Sequence, residues 1–366
     1  MHLFILAECT YIQILATTMK VNQQKIANEL GISRTTVSRC FTNHSGINPD
    51  TRASVFAMAT RLGYTYLEPR SKDKDTSVNS KTMAVLICSD PSHDITKDNQ
   101  SPGMQLLPGI SEYALINKLR LDMKIINPAQ TIFEPTYFEE LSKEQKTQWD
   151  GVLLIYPFPS AIISGLMHKY PCVSLVEQFG APDLDCIDVD HHRGVSHLMQ
   201  KLIDQGHKRI GFFSRRYAVE APWVYRRYSA YVEKLARAGL PYHKEDVLNL
   251  YDADSYNLEE SYKKALKQTE DGVTAWICPA DHIAYDFIAV FQNFGLVAGK
   301  DYSITGFDGI PMQGSQTKLT TVKIPHRQIG YQAARRLDEL LNNRFGTTQH
   351  VHLNGTVVAG NTDNTI

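Results

Sequence analysis

Between residues 22 and 63, apolar positions recur at intervals of one, three and four, and polar residues fill the rest. Ile26, Ala27 and Leu30 form the inner face of a first short helix, which Asn22 caps and Gly31 ends. Ser33 caps a second helix in which Val37, Cys40 and Phe41 face inward and Arg34, Thr35, Ser38 and Arg39 outward. Asn48-Pro49-Asp50 opens a third helix with proline at its first position. Val55, Ala59 and Leu62 line its inner face and Gly63 ends it. Two helices joined by a tight turn, the second polar and carrying two arginines, predict a helix-turn-helix whose second helix enters a DNA major groove. A three-helix bundle with a solvated polar face is the blander alternative.

The pattern changes after a polar, Ser/Thr-rich linker, EPRSKDKDTSVNSKT, at 68–82. Apolar runs then read as strands at 83–88, 121–126, 151–156, 172–176, 209–213, 273–278 and 302–307. Stretches of helical spacing fall between them at 191–206, 224–239, 257–270 and 281–294. Such alternation predicts βαβ units and parallel sheets covered on both faces, in two doubly wound lobes.

Charge sharpens the division. Residues 19–72 carry eight Lys/Arg against three Asp/Glu, on a chain whose net charge is −1. A basic head on an acidic body suits a head that meets phosphate. The six cysteines show neither CxxC nor Cys/His ligand spacing, which predicts reduced thiols in a cytoplasmic protein without structural zinc. No apolar run is long enough for a membrane span. Residues 1–18 are apolar, but no Lys or Arg precedes the apolar stretch and Glu8 interrupts it, so an export signal is not favoured.

The stretch VNQQKIANELGISRTTVSRCF, continued by INPDTRASVFAMATRLGY, resembles the DNA-binding head of the LacI/GalR family of bacterial transcription regulators. The likeness continues through Asp150-Gly151-Val152, the GHKRIG of residues 206–211, Gly306-Phe307-Asp308 and Leu319-Thr320-Thr321-Val322. It implies an all-α helix-turn-helix head followed by a periplasmic-binding-protein-like α/β core. The expected domains are an extension (1–18), the head (19–66), a hinge (67–82) and the two-lobed core (83–366). Met19 stands where family members begin, so the extension reads as an upstream start or a loosely ordered tail. The family's hinge forms a short helix that puts a leucine into the minor groove. Here Tyr66, Pro69 and Asp73 depart from that pattern, and an acid is poorly suited to a minor groove. The core is expected to enclose a ligand cleft crossed by three chain segments, one near Asp308–Thr321 and the last after a helix at 325–342.

In the head, Arg34, Thr35 and Arg39 are the expected base contacts, with Asn22, Ser33, Thr36 and Ser38 serving phosphates. Thr42 stands where the family has asparagine, with Asn43 beside it. In doubly wound sheets ligands sit beyond the carboxyl ends of strands. The candidates there are Ser101, Met104, Trp223, Arg226, Arg227, Asp281 and Asp308. Trp223 either stacks on a sugar face or belongs to the core. Asp281 suits an N-cap better than a ligand contact, and Asp190 likewise a cap or a lobe-packing role. Arg215, Arg216, Arg226 and Arg227 form a basic cluster at a strand end, a solvated face or a site for an anionic or polyhydroxyl ligand. The pair His191-His192 suggests a metal, but adjacent helical residues point apart.

No catalytic motif, phosphate loop or dinucleotide turn is present, so neither an enzyme nor a cofactor is expected. The resulting expectation is a homodimeric, cytoplasmic regulator of the repressor type that binds a double-stranded operator. A carbohydrate effector between the lobes would control it. The rival is an exported solute-binding protein of a transporter, against which the basic head argues.

Overall fold

The protein is described from a computed structural model. It covers residues 22–41, 44, 46–62, 64, 81–88, 102–126, 148–178, 181, 183–217, 219–249, 257–312, 314–344 and 346–366. Thr42, Asn43, Ser101, the extension at 1–18 and most of the hinge lie outside these residues.

The head contains α1 (Gln23–Leu30), α2 (Arg34–Phe41) and α3 (Pro49–Arg61). Asn22 Oδ1 accepts the Lys25 N–H at 3.0 Å, and Ser33 Oγ accepts that of Thr36 at 3.0 Å. Asn48 Oδ1 accepts the Asp50 N–H at 2.8 Å, so Pro49 opens α3 directly after its cap. Gly31 ends α1 with φ 63°, a left-handed value that glycine adopts without strain. Ile26, Ala27, Val37, Cys40, Val55, Met58 and Ala59 form the core of the head. Arg52 is buried among them. Its guanidinium donates to the carbonyls of Cys40 (3.1 Å) and His44 (2.8 Å), tying α3 to the end of α2. Arg52 counted towards the head's basic excess in the sequence, yet it is an internal strut and offers nothing to phosphate.

The core begins with β1 (Thr82–Cys88), α4 (Pro102–Ile116), β2 (Arg120–Ile126), β3 (Gly151–Ile155), α5 (Ser160–Lys169), β4 (Cys172–Ser174) and β5 (Asp185–Val189). It continues with α6 (His191–Asp204), β6 (Ile210–Phe213), α7 (Pro222–Arg237), β7 (Val247–Leu248), α8 (Leu258–Glu270), β8 (Ala275–Ile277) and α9 (Asp281–Gln292). The last elements are β9 (Ser303–Asp308), β10 (Thr320–Lys323), α10 (His326–Leu341), β11 (His350–Leu353) and β12 (Thr356–Val358). The strands form two sheets, ordered β2-β1-β3-β4-β5-β11 and β7-β6-β8-β9-β10-β12. Every pair is parallel except β10–β12. Each lobe thus has the doubly wound order in which the first strand is central and the connections reverse direction beside it.

The chain passes between the lobes at Asp190, at Ile324-Pro325 and between β11 and β12. The expected crossing near Asp308–Thr321 is not there. That segment joins β9 to β10 within the second sheet, and the passage comes only after β10. Helix α10 returns to the first lobe and packs on α4. Their backbones approach so closely that a methyl on Gly109 would overlap the Arg327 carbonyl, and one on Gly330 that of Leu106.

Candidate functional site

On α2 the side chains of Arg34, Thr35 and Arg39 are exposed, while Val37 and Cys40 are wholly buried. Ser33 and Thr36 share a hydroxyl–hydroxyl contact of 2.8 Å at the start of the helix. Asn22, Ser33 and Thr36 therefore all take part in the ends of helices, where backbone N–H groups also face outward.

In the core, the carboxyl ends of β6, β8 and β9 bring Tyr217, Trp223, Arg227, Asp281 and Asp308 together. Arg227, on α7, is 3 % exposed. Its Nε donates to His191 Nδ1 at 3.2 Å, its Nη1 donates to the Pro279 carbonyl, and Nη1 lies 3.5 Å from Asp308 Oδ1. The guanidinium carbon stands 3.7 Å from the centroid of the Phe307 ring and 4.7 Å from that of Trp223. Trp223 meets Tyr217 edge-on at 5.1 Å and packs, half-buried, against the core of the second lobe. Asp308 ends β9 with φ 142°, a strained value for a residue with a side chain.

Asp281 is the first residue of α9, and Ala280 holds the cap position. Its carboxylate accepts the Thr321 hydroxyl at 2.5 Å and the Ile310 N–H at 2.7 Å. It anchors the β9–β10 connection and does not cap the helix, contrary to the sequence reading. Asp190 does act as a cap, accepting the Arg193 N–H at 2.8 Å. Met104 is half-buried in the first turn of α4. Beside it, the Gly103 N–H donates to the Tyr156 hydroxyl at 2.7 Å, and Tyr156 follows β3 with φ 72°.

Burial dominates the electrostatics. It drives the Asp308 carboxyl well above the usual carboxylate range, against the pull of Arg227, and nearby Asp281 adds to the rise. Burial also raises Asp281, partly offset by its bonds to Thr321 and Ile310. His191 is pushed down by burial and by Arg227, although Asp188 opposes this from 3.1 Å. Burial alone would raise Asp188, but His191, the Val189 N–H and Arg227 hold it low. His326 falls to about 4 through burial and the nearness of Arg227.

Three members of the basic cluster have acidic partners. Arg226 is forked onto Glu177, with Nε to Oε2 at 2.5 Å, Arg227 faces Asp308, and Arg215 lies 3.9 Å from Asp286. His192 turns away from His191 to Glu233, at 2.6 Å.

The sequence reading did not name Tyr156, Glu177, Asp188, Tyr217 or His326, and weighed His191 only as a metal ligand. The one local signal for these groups was the DVDHH run, whose acids and histidines are too polar for an ordinary strand and helix start.

A periplasmic binding protein-like domain family matches residues 199–362. The transcriptional repressor CytR of Escherichia coli strain K12 is 27% identical over 358 residues, covering 95% of this chain and 96% of its own. Catabolite control protein A of Priestia megaterium is 25% identical, covering 92% and 97%. In fold, the chain resembles the Lac repressor dimer bound to operator and an anti-inducer, with TM-score 0.62, 19% identity and 94% and 99% coverage. It also resembles a complex of the regulator CelR with cellobiose, with TM-score 0.64, 20% identity and 93% and 99% coverage. The chain is similar to LacI/GalR-type regulators through head and core alike. CytR aligns with head and core together, which does not favour an exported solute-binding protein. CytR is a transcriptional repressor and CelR a transcriptional regulator.

Proposed function

We propose that this protein is a ligand-responsive transcription regulator of repressor type, acting in the cytoplasm as a homodimer on a near-palindromic operator. One observation carries the reading: the same chain holds a three-helix head with exposed Arg34, Thr35 and Arg39 and a two-lobed core with Arg227 and Asp308 buried at its strand ends. Arg34 and Arg39 suit bidentate contacts to guanine, and Thr35 a base edge beside them. Asn22, Ser33, Thr36, Ser38, Thr42 and Asn43 are assigned to the phosphates and the rim of the half-site.

The effector is a small polyhydroxyl molecule, a sugar or sugar derivative. Its hydroxyls pair with Asp308 and Arg227, and its apolar face lies on Trp223. Pairing of Arg226 with Glu177 and of Arg215 with Asp286 favours an uncharged ligand over an anionic one. Binding between lobes shifts the population of lobe arrangements, and operator affinity follows.

The test is a thermal-shift screen of the full-length protein against neutral sugars, their phosphates and nucleosides, paired with selection of bound sequences from random DNA. A cognate ligand at a hundred times its dissociation constant adds about 2.7 kcal/mol of stability. Failure to enrich any DNA sequence would refute the regulator. Stabilisation by sugar phosphates alone would refute the neutral effector.

A further inference from the structure

Two consecutive arginines of α7 reach the first lobe by different routes. Arg226 is forked onto the carboxylate of Glu177, in the loop after β4. The backbone N–H of the same Glu177 donates to Asp188 Oδ2 at 3.2 Å. That oxygen also meets His191 Nε2 at 3.1 Å, and His191 Nδ1 accepts from Arg227 Nε at 3.2 Å. The contacts close a ring: Arg226, Glu177, Asp188, His191, Arg227, and back along the backbone of α7. The ring passes between the lobes twice. Arg226–Glu177 spans the rim, and Asp188–His191 spans the first chain crossing, on either side of Asp190.

Hydrogen-bond chemistry fixes the state of the histidine. A guanidinium only donates, so Nδ1 must accept, and the ring proton sits on Nε2, where it donates to Asp188. A protonated His191 would set one donor against another. Asp188, His191 and Arg227 are all buried, so water does not compete for these links. Arg226–Glu177 is more exposed, but its bidentate fork makes it directional.

We propose that His191 is a positioning residue: with Asp188 it fixes Arg227 across the first chain crossing, and with Glu177–Arg226 it sets the angle between the lobes before any ligand arrives. Only the link to an effector rests on the proposed function; the effect on lobe angle does not. A ligand that draws Arg227 away from His191 loosens the ring, and one that leaves this contact intact preserves the lobe angle. The residue that meets the effector is thus part of the joint that must move.

The experiment measures the lobe angle in the ligand-free full chain. Nitroxides are placed at exposed Ser164 on α5 and Lys264 on α8 in a Cys9→Ser background; the other five cysteines are buried. With labelled chain diluted into excess unlabelled chain, so that few dimers carry labels on both protomers, double electron–electron resonance should give one narrow distance distribution for the parent. Arg226→Gln and His191→Phe should each broaden it and move its maximum. His191→Gln, which keeps a hydrogen-bonding group, should recover part of the parent distribution. A parent distribution retained by Arg226→Gln overturns the ring, and that exposed substitution does not threaten folding. A lower melting temperature for His191→Phe with the distribution unchanged reduces His191 to packing. Absence of any effector response, with the distances shifted as expected, would count against the proposed function and leave the ring standing.

Discussion

Arg227→Met removes the cation from a buried group that also holds Asp308, Asp281, Asp188 and His191. Methionine can still fill the stem's space against Phe307, so little of the loss is packing. What disappears is the bond to the Pro279 carbonyl, the bond to His191 at 3.2 Å and the charge 3.5 Å from Asp308. Two orphaned polar partners cost roughly 1–3 kcal/mol each. Breaking a buried ion pair costs about 3–5 kcal/mol, a large share of a typical domain's 5–15 kcal/mol. How much of this is felt depends on pH. The Asp308 carboxyl is raised to about 8 in the folded protein, above its unfolded value, so its contribution is complete at low pH and is lost as pH rises towards 8. Without Arg227 the carboxyl rises further, and more of it is lost. The destabilisation by Arg227→Met should therefore be larger at pH 9 than at pH 6. Adding Asp308→Asn should shrink that difference, since Asp308 then has no charge to bury and only the neighbouring Asp281 still titrates in this range. Urea unfolding followed by tryptophan fluorescence at both pH values measures it. An equal loss at both pH values, or a double variant no better than the single at pH 9, would refute the reasoning.

Arg39→Ala should weaken binding to the selected DNA sequence by roughly 1–3 kcal/mol and relax one base position, read by fluorescence anisotropy; an equal loss on random DNA would make it a phosphate contact. Arg52→Met should lower the stability of the head by about 1–3 kcal/mol in thermal unfolding while leaving the preferred sequence unchanged, because Arg52 is buried and bonds to Cys40 and His44. Gly109→Ala should lower the melting temperature of the core through overpacking of about 1–3 kcal/mol, and an unchanged melting temperature would contradict the close approach of α4 and α10.

The head was legible because its signals are local: caps at Asn22, Ser33 and Asn48, a left-handed Gly31, and a helical apolar period. Strand β5 was not read, because DCIDV puts acids at Asp185 and Asp188 in a run that is buried throughout. Asp185 is tolerated through Arg336 at 2.6 Å, and Asp188 through His191, both supplied by helices that follow β5. Helix α4 was hidden by its glycines and Pro108; it starts on Pro102, a favourable first position that resembled the end of a loop. Arg227 and Asp308 were nominated by resemblance to a family. Their neighbours Asp188 and His326 come from the other lobe and from a chain crossing, and nothing in local spacing pairs them.

The interleaving of the lobes has a consequence for how the chain comes off the ribosome. The first sheet is not finished until β11, beside β5, and its helical cover needs α10; the second awaits β12, beside β10. Neither lobe can close while its last strand is unsynthesised, so both sheets must hold exposed apolar edges until translation is almost over. The three-helix head has all its core within residues 26–64 and can fold as soon as that stretch emerges. Nascent chains would then carry a finished head well before a finished core, and slow synthesis or missing chaperones should damage the core first.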